Sequence, residues 1–230
     1  MLVAWSPSNL GPEAAVRDGI LHAAAADPAT AIEGADLVVV GAPPMETIEL
    51  LRALGGRLRA ALAPDAVVTD VASTKGLVVA AADAVGLRFV GGHPMAGREL
   101  AGYDAAVPDL FVGRPWVLVR GAAADDAAVA RVESLATACG ALPVRMDAAA
   151  HDAAAAAVSH LPLVVAAALV EAVAGAGMER SGWSDAAPLA ASGWRDMTRL
   201  ARGDARMGAG IATTNSPALL EALHRLRGVV

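Results

Sequence analysis

Short apolar runs that lack polar alternation recur along the first two thirds of the sequence, bounded by Gly, Pro, Asp and Ser. Such runs, separated by amphipathic helical stretches, are typical of a parallel sheet covered on both faces. The predicted strands are 1–5, 35–43, 65–73, 88–92, 115–121 and 142–147. The predicted helices between them are 44–62, 74–85 and 125–139. This pattern indicates a doubly wound α/β domain.

The strand pattern stops after Asp147, and from Ala148 to Val230 the apolar positions follow helical spacing. We therefore predict two domains, an α/β domain over 1–147 and an all-α domain over 148–230. No stretch rich in Pro and Ser separates the two, so we expect the helical domain to pack directly on the sheet domain.

Composition narrows the classes of function. The 230 residues carry a formal net charge of -6 and no run of Lys or Arg, which argues against a nucleic-acid-binding surface. A single cysteine, Cys139, excludes an internal disulfide framework and fits a reducing compartment. No charged segment followed by an apolar core begins the sequence, so we expect no signal peptide and a cytoplasmic protein.

The stretch 153–170 is apolar and long enough to resemble a membrane span. Ser159, His160 and Pro162 lie at its middle, where polar groups and a helix interruption are costly in lipid. We therefore favour a buried or subunit-contacting helix, and we expect a soluble protein without a membrane partner.

Two polar motifs follow strands at the sheet edge where open parallel sheets bind ligands. In "DVASTKG" (70–76), Ser73 and Lys75 lie where a strand gives way to a helix, either as an N-cap with a solvated lysine or as an anion site. In "GGHPMAG" (91–97), His93 has the side chain best suited to proton transfer near neutral pH. The glycines beside it would let a ligand approach, and the alternative is a loop histidine without a catalytic role.

Two further motifs lie in the helical part. In "HDAAAAAVSHLPL" (151–163), a core or capping role fits His151 and Asp152, whereas His160 in an apolar helix needs a buried partner. Positions 152, 156, 159, 160 and 163 share a face at helical spacing. Two histidines nine residues apart, without a carboxylate cluster, predict no metal site. In "GWRDMTR" (193–199), Arg195 suits a carboxylate ligand or forms a surface pair with Asp196.

The order and spacing of these four motifs resemble the prephenate dehydrogenase family, which includes arogenate and cyclohexadienyl dehydrogenases. The resemblance extends over nearly the whole chain, and it implies a Rossmann-like dinucleotide-binding domain followed by an all-α dimerisation domain, hence a homodimer. Members of this family move a hydride from prephenate to NAD or NADP and release carbon dioxide, which gives 4-hydroxyphenylpyruvate for tyrosine biosynthesis. No metal is required.

The resemblance also implies roles for single residues. His93 accepts a hydrogen bond from the ring hydroxyl of the substrate while hydride leaves, and Ser73 bridges this histidine and the nicotinamide. Arg195 binds a substrate carboxylate with help from His160, and Ser159 belongs to the same substrate-binding group. The residues expected to hold the cofactor are Ser6, Ala42, Pro43, Ser73 and Lys75.

The sequence departs from the family at several places. The family opens with a strand and a G-x-G-x-x-G turn that binds the pyrophosphate, and no such motif occurs here. The sheet is therefore expected to be incomplete, with three explanations open. The first is that the natural protein is longer than this sequence. The second is that another element fills the gap or that strand 1–5 pairs directly with strand 65–73. The third is that the chain no longer binds a dinucleotide well. Ser6 replaces a common acidic residue, which leaves NAD and NADP both acceptable, and Leu163 replaces a histidine.

Three functions remain in competition. The leading one is a prephenate dehydrogenase, and a close alternative is a dehydrogenase of arogenate or of an amino analogue. An alternative of another class is a non-catalytic homologue that dimerises through its helices and binds no dinucleotide. The missing glycine turn favours this last reading, whereas the joint presence of Ser73, His93, His160 and Arg195 favours an enzyme.

Overall fold

A computed structural model describes residues 1–97, 102–175 and 183–230 of the chain. It divides into two compact units, Met1–His151 and Asp152–Val230. The boundary predicted after Asp147 lies close to this division. Residues 176–182 of the predicted helical domain lie outside the described residues.

The first unit contains two sheets. The shorter one pairs β1 (Val3–Ala4) with β2 (Ala23–Ala24) in parallel. The strands of the larger sheet are β3 (Leu37–Val40), β4 (Val67–Asp70), β5 (Phe89–Pro94), β6 (Pro115–Arg120) and β7 (Leu142–Arg145). They lie side by side in chain order, and all neighbours are parallel except β5 and β6, which are antiparallel.

The antiparallel β5–β6 pair is a departure from the predicted all-parallel order. Parallel neighbours need a crossover connection that is usually a helix. In the described part of the connection from Pro94 to Pro115, helical structure is limited to one 3-10 turn, Tyr103–Ala105. Without a crossover to the opposite end of the sheet, the chain enters β6 at the end where it leaves β5, so the two strands are antiparallel. An apolar run that is buried on both faces has the same pattern in either direction, so the sequence pattern did not predict the direction of β6.

Helices cover both faces of the larger sheet, as predicted. The helices of the first unit that precede residue 148 are α1 (Leu10–Arg17), α2 (Pro28–Ile32), α3 (Pro44–Gly55), α4 (Gly76–Ala84) and α5 (Asp126–Ala138), with a 3-10 turn at Arg59–Ala61. Val68 and Phe89 belong to a core cluster formed with α3 and α4, whereas Val67 and Val90 belong to a second cluster formed with α5. Successive strand residues thus point to opposite faces, and each face has its own core.

The pairing of β1 tests one of the explanations proposed for the incomplete sheet. β1 pairs with β2, and β4 has β3 and β5 as its neighbours. Direct pairing of strand 1–5 with strand 65–73 is therefore wrong. The sequence pattern also did not predict α1, β2 and α2, because these elements are short and carry few large apolar residues.

The second unit is helical throughout its described residues, which confirms the all-α prediction for them. Its long first helix begins in the first unit. The helices are α6 (Ala148–Ala155), a π-helical turn (Ala156–His160), α7 (Leu161–Ala174), α8 (Trp183–Ala186), α9 (Ser192–Thr198), α10 (Ala205–Thr214) and α11 (Ser216–Arg227). Two 3-10 turns, Ala187–Leu189 and Arg199–Arg202, connect some of them.

The continuous helix from Ala148 to Ala174 is long and apolar enough to cross a membrane by length and composition alone. One such helix is weak evidence, because helices of soluble proteins pass the same test. Within this chain only 22% of its most apolar window is buried. The preference for a buried or subunit-contacting helix stays a prediction.

Candidate active site

A buried aspartate, Asp70, organises the carboxyl end of the larger sheet. Its side chain is fully buried at the end of β4. One carboxylate oxygen, Oδ1, accepts a hydrogen bond from the backbone N–H of Gly92 at 2.9 Å. The other, Oδ2, accepts from the backbone N–H of Ala72 at 2.9 Å and pairs with the Lys75 ammonium. A buried carboxylate is stable only with such partners, so Asp70 ties the loop after β4 to strand β5.

This arrangement fixes the backbone beside both predicted catalytic residues. Ala72 directly precedes Ser73, and Gly92 directly precedes His93. Two oxygens of one carboxylate therefore hold the two chain segments in a fixed relation. Ser73 is half-buried, and the side chain of His93 is buried. The structure brings the two segments together within the first unit, as the sequence predicted for these strand ends.

The glycines before His93 have a different purpose from the one expected. A Cβ at Gly92 would lie 2.4 Å from the backbone oxygen of Asp70 and 2.9 Å from Nε1 of Trp116. A Cβ at Gly91 would lie 3.0 Å from Cδ of Lys75. The space beside both glycines is filled by protein, so the prediction that they admit a ligand is wrong for them. They permit the close packing that brings Asp70 and Lys75 against β5.

His93 contacts a second histidine. Its Nδ1 lies 2.8 Å from Nε2 of His151, and the rings meet edge to face with centroids 5.1 Å apart. Both side chains are buried, with 7% and 2% of their surfaces exposed. One nitrogen must donate and the other accept, so the contact holds a single proton between the two rings. The sequence-based core or capping role for His151 missed this contact, and Asp147 caps the helix through the N–H of Ala150.

Lys75 was predicted to contact the cofactor, and in the structure its ammonium contacts Asp70. The residue is fully buried, and its ammonium pairs with the equally buried carboxylate of Asp70. A lysine loses most of its hydration in such a place, and the carboxylate replaces it. The structure thus gives Lys75 a role in the scaffold of the site, and its contact with a cofactor stays a prediction.

The other predicted cofactor residues lie at the ends of β1 and β3. Ser6 and Ala42 line one cavity of the first unit, next to the exposed Gly41. A Cβ built on Gly41 would meet no atom within 4 Å, so this strand end is open to a ligand. Pro43 caps α3, and its carbonyl accepts a hydrogen bond from the N–H of Thr47 at 2.8 Å.

In the second unit, His160 lies fully buried beside Asn215. Nδ2 of Asn215 donates to the backbone carbonyl of Asp152 at 2.8 Å and lies 3.1 Å from Nδ1 of His160. An amide NH₂ group can only donate, so Nδ1 of His160 accepts, and the neutral ring carries its proton on Nε2. The buried partner that the sequence required for His160 is therefore Asn215, a residue that sequence reasoning missed.

The helical face predicted for the 151–163 motif is only partly observed. Asp152, Ala156 and His160 are buried and Leu163 is half-buried, but Ser159 is exposed. The reason is the π-helical turn Ala156–His160, which breaks the regular helical period on which the prediction depended.

Arg195 lies exposed on α9, after the half-buried Trp194. In the part of the second unit that the structure describes, it forms no ion pair with Asp196 or any other acid. Its guanidinium is thus on the surface of this unit. Its predicted contact with a substrate carboxylate, and the meeting of Arg195 with Ser73 and His93 in one cleft, stay predictions.

The ion pair of Asp70 and Lys75, which sequence reasoning missed, carried a signal in the sequence. Asp70 ends an apolar strand in the middle of a buried run, and Lys75 follows five residues later. A carboxylate at such a position needs a buried partner, so this pair was a candidate for an ion pair. His151 and Asn215 carried no such signal, because their partners lie 58 and 55 residues away along the chain.

Two family models match the chain. One is described as the nucleotide-binding domain of prephenate dehydrogenase and matches residues 2–144, and the other as its dimerization domain and matches residues 147–228. The fold and the two matches define a two-domain protein with a doubly wound nucleotide-binding domain and a helical second domain. The chain belongs to the prephenate dehydrogenase family.

Named relatives agree with this membership. The chain is 37% identical over 209 residues to the probable prephenate dehydrogenase NovF of Streptomyces niveus, a match that covers 86% of the chain and 56% of the relative. The chain thus spans a little over half the length of that relative.

Solved structures are similar as well. The arogenate dehydrogenase of Synechocystis is 33% identical, with a TM-score of 0.79 over 98% of this chain and 79% of that one. The prephenate dehydrogenase of A. aeolicus, in complex with hydroxyphenyl propionate and NAD+, is 27% identical, with a TM-score of 0.86 over 99% of this chain and 78% of that one.

Proposed function

We propose that this chain carries the catalytic machinery of an NAD(P)-dependent dehydrogenase that oxidises and decarboxylates prephenate. The observation that carries the proposal is the buried His93–His151 contact, held next to the Ser73 loop by the carboxylate of Asp70. Membership in the prephenate dehydrogenase family supports the reaction class.

The residues at the strand ends fit a dinucleotide. Gly41 leaves open space beside the carboxyl end of β3, and Ser6 and Ala42 border the same region. This is the sheet edge where doubly wound folds bind nucleotides. Ser6, Ala42 and Pro43 would hold the cofactor there, with Ser73 near its nicotinamide. When bound, NAD or NADP supplies the acceptor for the hydride.

His93 is the group that handles the substrate hydroxyl. If Nδ1 of His93 keeps its proton and donates it to Nε2 of His151, then Nε2 of His93 carries the lone pair of the neutral ring. That lone pair accepts the hydrogen bond of the ring hydroxyl while the carbon bearing it gives up hydride. His151 then stabilises the positive charge that develops on the His93 ring, as an acceptor does for a histidine base.

The substrate is a dianion, and two groups of the second unit suit its carboxylates. Arg195 presents an exposed guanidinium that matches a carboxylate with two parallel hydrogen bonds. Asn215 places the proton of His160 on Nε2, which makes that nitrogen a donor of the kind a carboxylate oxygen accepts. We assign Arg195 and His160 to substrate binding, with Ser159 on the exposed side of the same helix.

Arogenate is the second candidate substrate, because one solved relative of similar fold is an arogenate dehydrogenase. Assays of prephenate and arogenate, each with NAD and with NADP, give four values of kcat/KM that rank the substrates and cofactors. Fluorescence titration with NADH and NADPH separates the enzyme from a non-catalytic homologue, since the latter binds neither cofactor.

The catalytic assignment is tested by His93→Asn. Loss of the imidazole is expected to lower kcat by ~10²–10⁴-fold with nearly unchanged cofactor affinity. The exposed His224 on α11 provides a matched control, and His224→Asn should leave kcat unchanged. Arg195→Ala should raise KM sharply, whereas Arg202→Ala, at another exposed arginine, should not. Unchanged kinetics in His93→Asn would remove the basis of the proposal.

His151→Phe tests the partner of that histidine. The ring volume is retained but Nδ1 of His93 loses its partner, so kcat is expected to fall by ~10-fold or more while KM stays within twofold. The pH profile of kcat/KM should shift as well, which a merely structural loss does not produce. A variant with wild-type kcat and an unshifted profile would show that His151 does not orient His93.

We also propose a homodimer formed through the helical unit, in the cytoplasm. The description of the second family model as a dimerization domain supports it, as does the exposure of apolar side chains such as Val158 and Leu189. Sedimentation equilibrium measures the mass directly, and a monomer at micromolar concentration would contradict the proposal.

A further inference from the structure

Asn9 has a backbone conformation that is unusual for a residue with a side chain. Its φ is 54°, in the left-handed region, and every other described residue with a positive φ is a glycine. Side chains are disfavoured in this region, although Asn is tolerated better than most because its short amide forms local hydrogen bonds. A residue in such a conformation needs compensating contacts, and those of Asn9 lead to the end of β1.

The side-chain amide of Asn9 connects two segments of the first unit. Its Oδ1 accepts a hydrogen bond from the backbone N–H of Ser6 at 3.0 Å, and its Nδ2 donates to the carbonyl oxygen of Ala25 at 2.7 Å. Ala25 directly follows β2, and its own N–H donates to the carbonyl oxygen of Ala4 in β1 at 2.9 Å. The turn after β1 is therefore fixed to the end of β2 as well as to its own strand.

The backbone of Asn9 closes the same turn. Its N–H donates to the carbonyl oxygen of Ser6 at 3.0 Å, and its own carbonyl oxygen accepts from the N–H of Glu13 at 2.9 Å, at the start of α1. Backbone and side chain thus each supply one donor and one acceptor to this turn. A glycine would adopt the same φ but lacks the amide, and an aspartate lacks the side-chain donor. Asn is the residue that meets all of these requirements.

These contacts leave one polar group of Ser6 for a ligand. The backbone N–H and C=O of Ser6 both bond to Asn9. The hydroxyl of Ser6 forms no hydrogen bond with any residue that the structure describes, and Ser6 lines the cavity at the ends of β1 and β3. A hydroxyl both donates and accepts, which suits the sugar hydroxyls of a dinucleotide.

We propose that Asn9 is a positioning residue for the dinucleotide. It holds the turn 6–9 so that the hydroxyl of Ser6 meets a ribose hydroxyl of the cofactor, and it acts through Ser6 without contacting the cofactor itself. This inference rests on the proposed function, which assigns Ser6 to the cofactor. A turn without these bonds would have to be ordered on binding, and that cost would lower the affinity. Asn9 removes the cost by ordering the turn in advance.

Fluorescence titration with NADH and NADPH tests the proposal. Asn9→Gly permits the same φ and removes both side-chain hydrogen bonds, so it should raise the Kd of the bound cofactor by at least ~10-fold. In steady-state kinetics, KM for the cofactor should rise as well, while kcat and KM for prephenate stay within about twofold. Glu33→Gly, the same kind of substitution at an exposed position after α2, is the control and should leave all of these values unchanged.

A double-mutant cycle shows whether Asn9 acts through Ser6. Ser6→Ala removes the hydroxyl and should raise the Kd by itself. In that background, Asn9→Gly should raise the Kd by less than ~3-fold, because the group that it positions is gone. Equal effects of Asn9→Gly in both backgrounds would overturn the proposal. Asn9→Asp keeps the shape of the side chain and loses one donor, and it takes the place of Asn9→Gly in the cycle if that variant fails to fold.

Hydrogen exchange of the chain without cofactor provides an independent readout. The amide of Ser6 should exchange at least ~10-fold faster in Asn9→Gly, because its acceptor is lost, and an unchanged rate would contradict the positioning role. If the wild type binds NADH or NADPH and Asn9→Gly binds it equally well, this inference fails and the proposed function stands. If the wild type binds neither cofactor, the proposed function fails and this inference fails with it.

Discussion

The two units each contain a buried polar cluster, and the two clusters differ in charge. In the first unit, Asp70 forms an ion pair with the Lys75 ammonium and accepts hydrogen bonds from two backbone N–H groups. In the second unit, Asn215 is neutral and joins the Asp152 carbonyl to the His160 ring. Both clusters lie beside predicted site residues, so each unit uses buried hydrogen bonds to fix side chains that sequence pattern alone left unexplained.

The difference in charge determines how each cluster responds to the loss of one member. An unpaired charge left in a protein interior is far more costly than an unpaired neutral group. Loss of either partner of the Asp70–Lys75 ion pair should therefore lower the stability of the first unit strongly. Loss of Asn215 should lower stability less, because only neutral donors and acceptors then lose their partners.

The largest effect is expected from Lys75→Met. The substitution keeps most of the side-chain volume but leaves the Asp70 carboxylate buried without its ammonium. The loss should be roughly 3–5 kcal/mol in the free energy of unfolding. Urea denaturation followed by circular dichroism measures it.

Two variants sharpen this result. Lys75→Met combined with Asp70→Asn removes the orphaned charge, so the double variant should be more stable than Lys75→Met alone. Arg120→Met removes a surface pair with Asp126 whose members are 54% and 95% exposed, and it should change stability little. A similar loss in Arg120→Met and Lys75→Met would contradict the special cost of the buried pair.

Asn215→Leu should have an intermediate effect. It leaves the Asp152 carbonyl and Nδ1 of His160 without their donor, and the expected loss is roughly 1–3 kcal/mol. Thermal unfolding of the second unit provides the measurement. The reverse swap on the exposed face of α11, Leu220→Asn, serves as the control and should be nearly neutral. A larger loss in Asn215→Leu than in Lys75→Met would reverse the comparison.

The smallest effect is expected at the partly exposed pair of Glu133 and Arg145. The hydrogen bonds and the charge of Arg145 lower the pKa of Glu133 below its ordinary value of 4.5. A lowered carboxylate pKa stabilises the fold above about pH 4.5, and this contribution is lost as the pH falls through the folded-state pKa.

Glu133→Gln should therefore lower Tm by only about 1–3 °C at pH 7, and the difference from wild type should vanish in acid. Melting curves between pH 3 and pH 7 check this. A difference that grows on acidification would have the wrong sign for the proposed cause.

The sequence pattern predicted the main architecture because each strand and helix carries its own apolar period. Strands β3 to β7 and helices α4 and α5 were found within a few residues of their observed bounds, whereas the helix predicted over 44–62 extends seven residues beyond the end of α3 at Gly55. The strand 1–5 was predicted and contains β1, but the direction of β6 and the elements α1, β2 and α2 were not predicted. Direction depends on how the connection from Pro94 to Pro115 runs in space, and the short elements α2 and β2 contain too few apolar residues to show a period.

The sequence placed candidate groups at the carboxyl ends of strands but did not predict their contacts. Ser73 and His93 were located by their positions after buried strands, which is a local property. His151 and Asn215 were missed because a hydrogen bond between distant segments leaves no trace in local spacing. The packing role of Gly91 and Gly92 was missed for the same reason, since Lys75 and Asp70 approach them from another strand.

The π-helical turn at Ala156–His160 makes the number of residues in the alanine run 153–157 structurally important. Such a turn holds more residues than an α-helical turn, as if one residue had been inserted. Each residue of an α-helix advances by about 100° around the axis, so the run with its five alanines of 153–157, wound as a regular α-helix without the wide turn, would rotate His160 away from Asn215. In this run the count of residues, more than their identity, decides which way the histidine points.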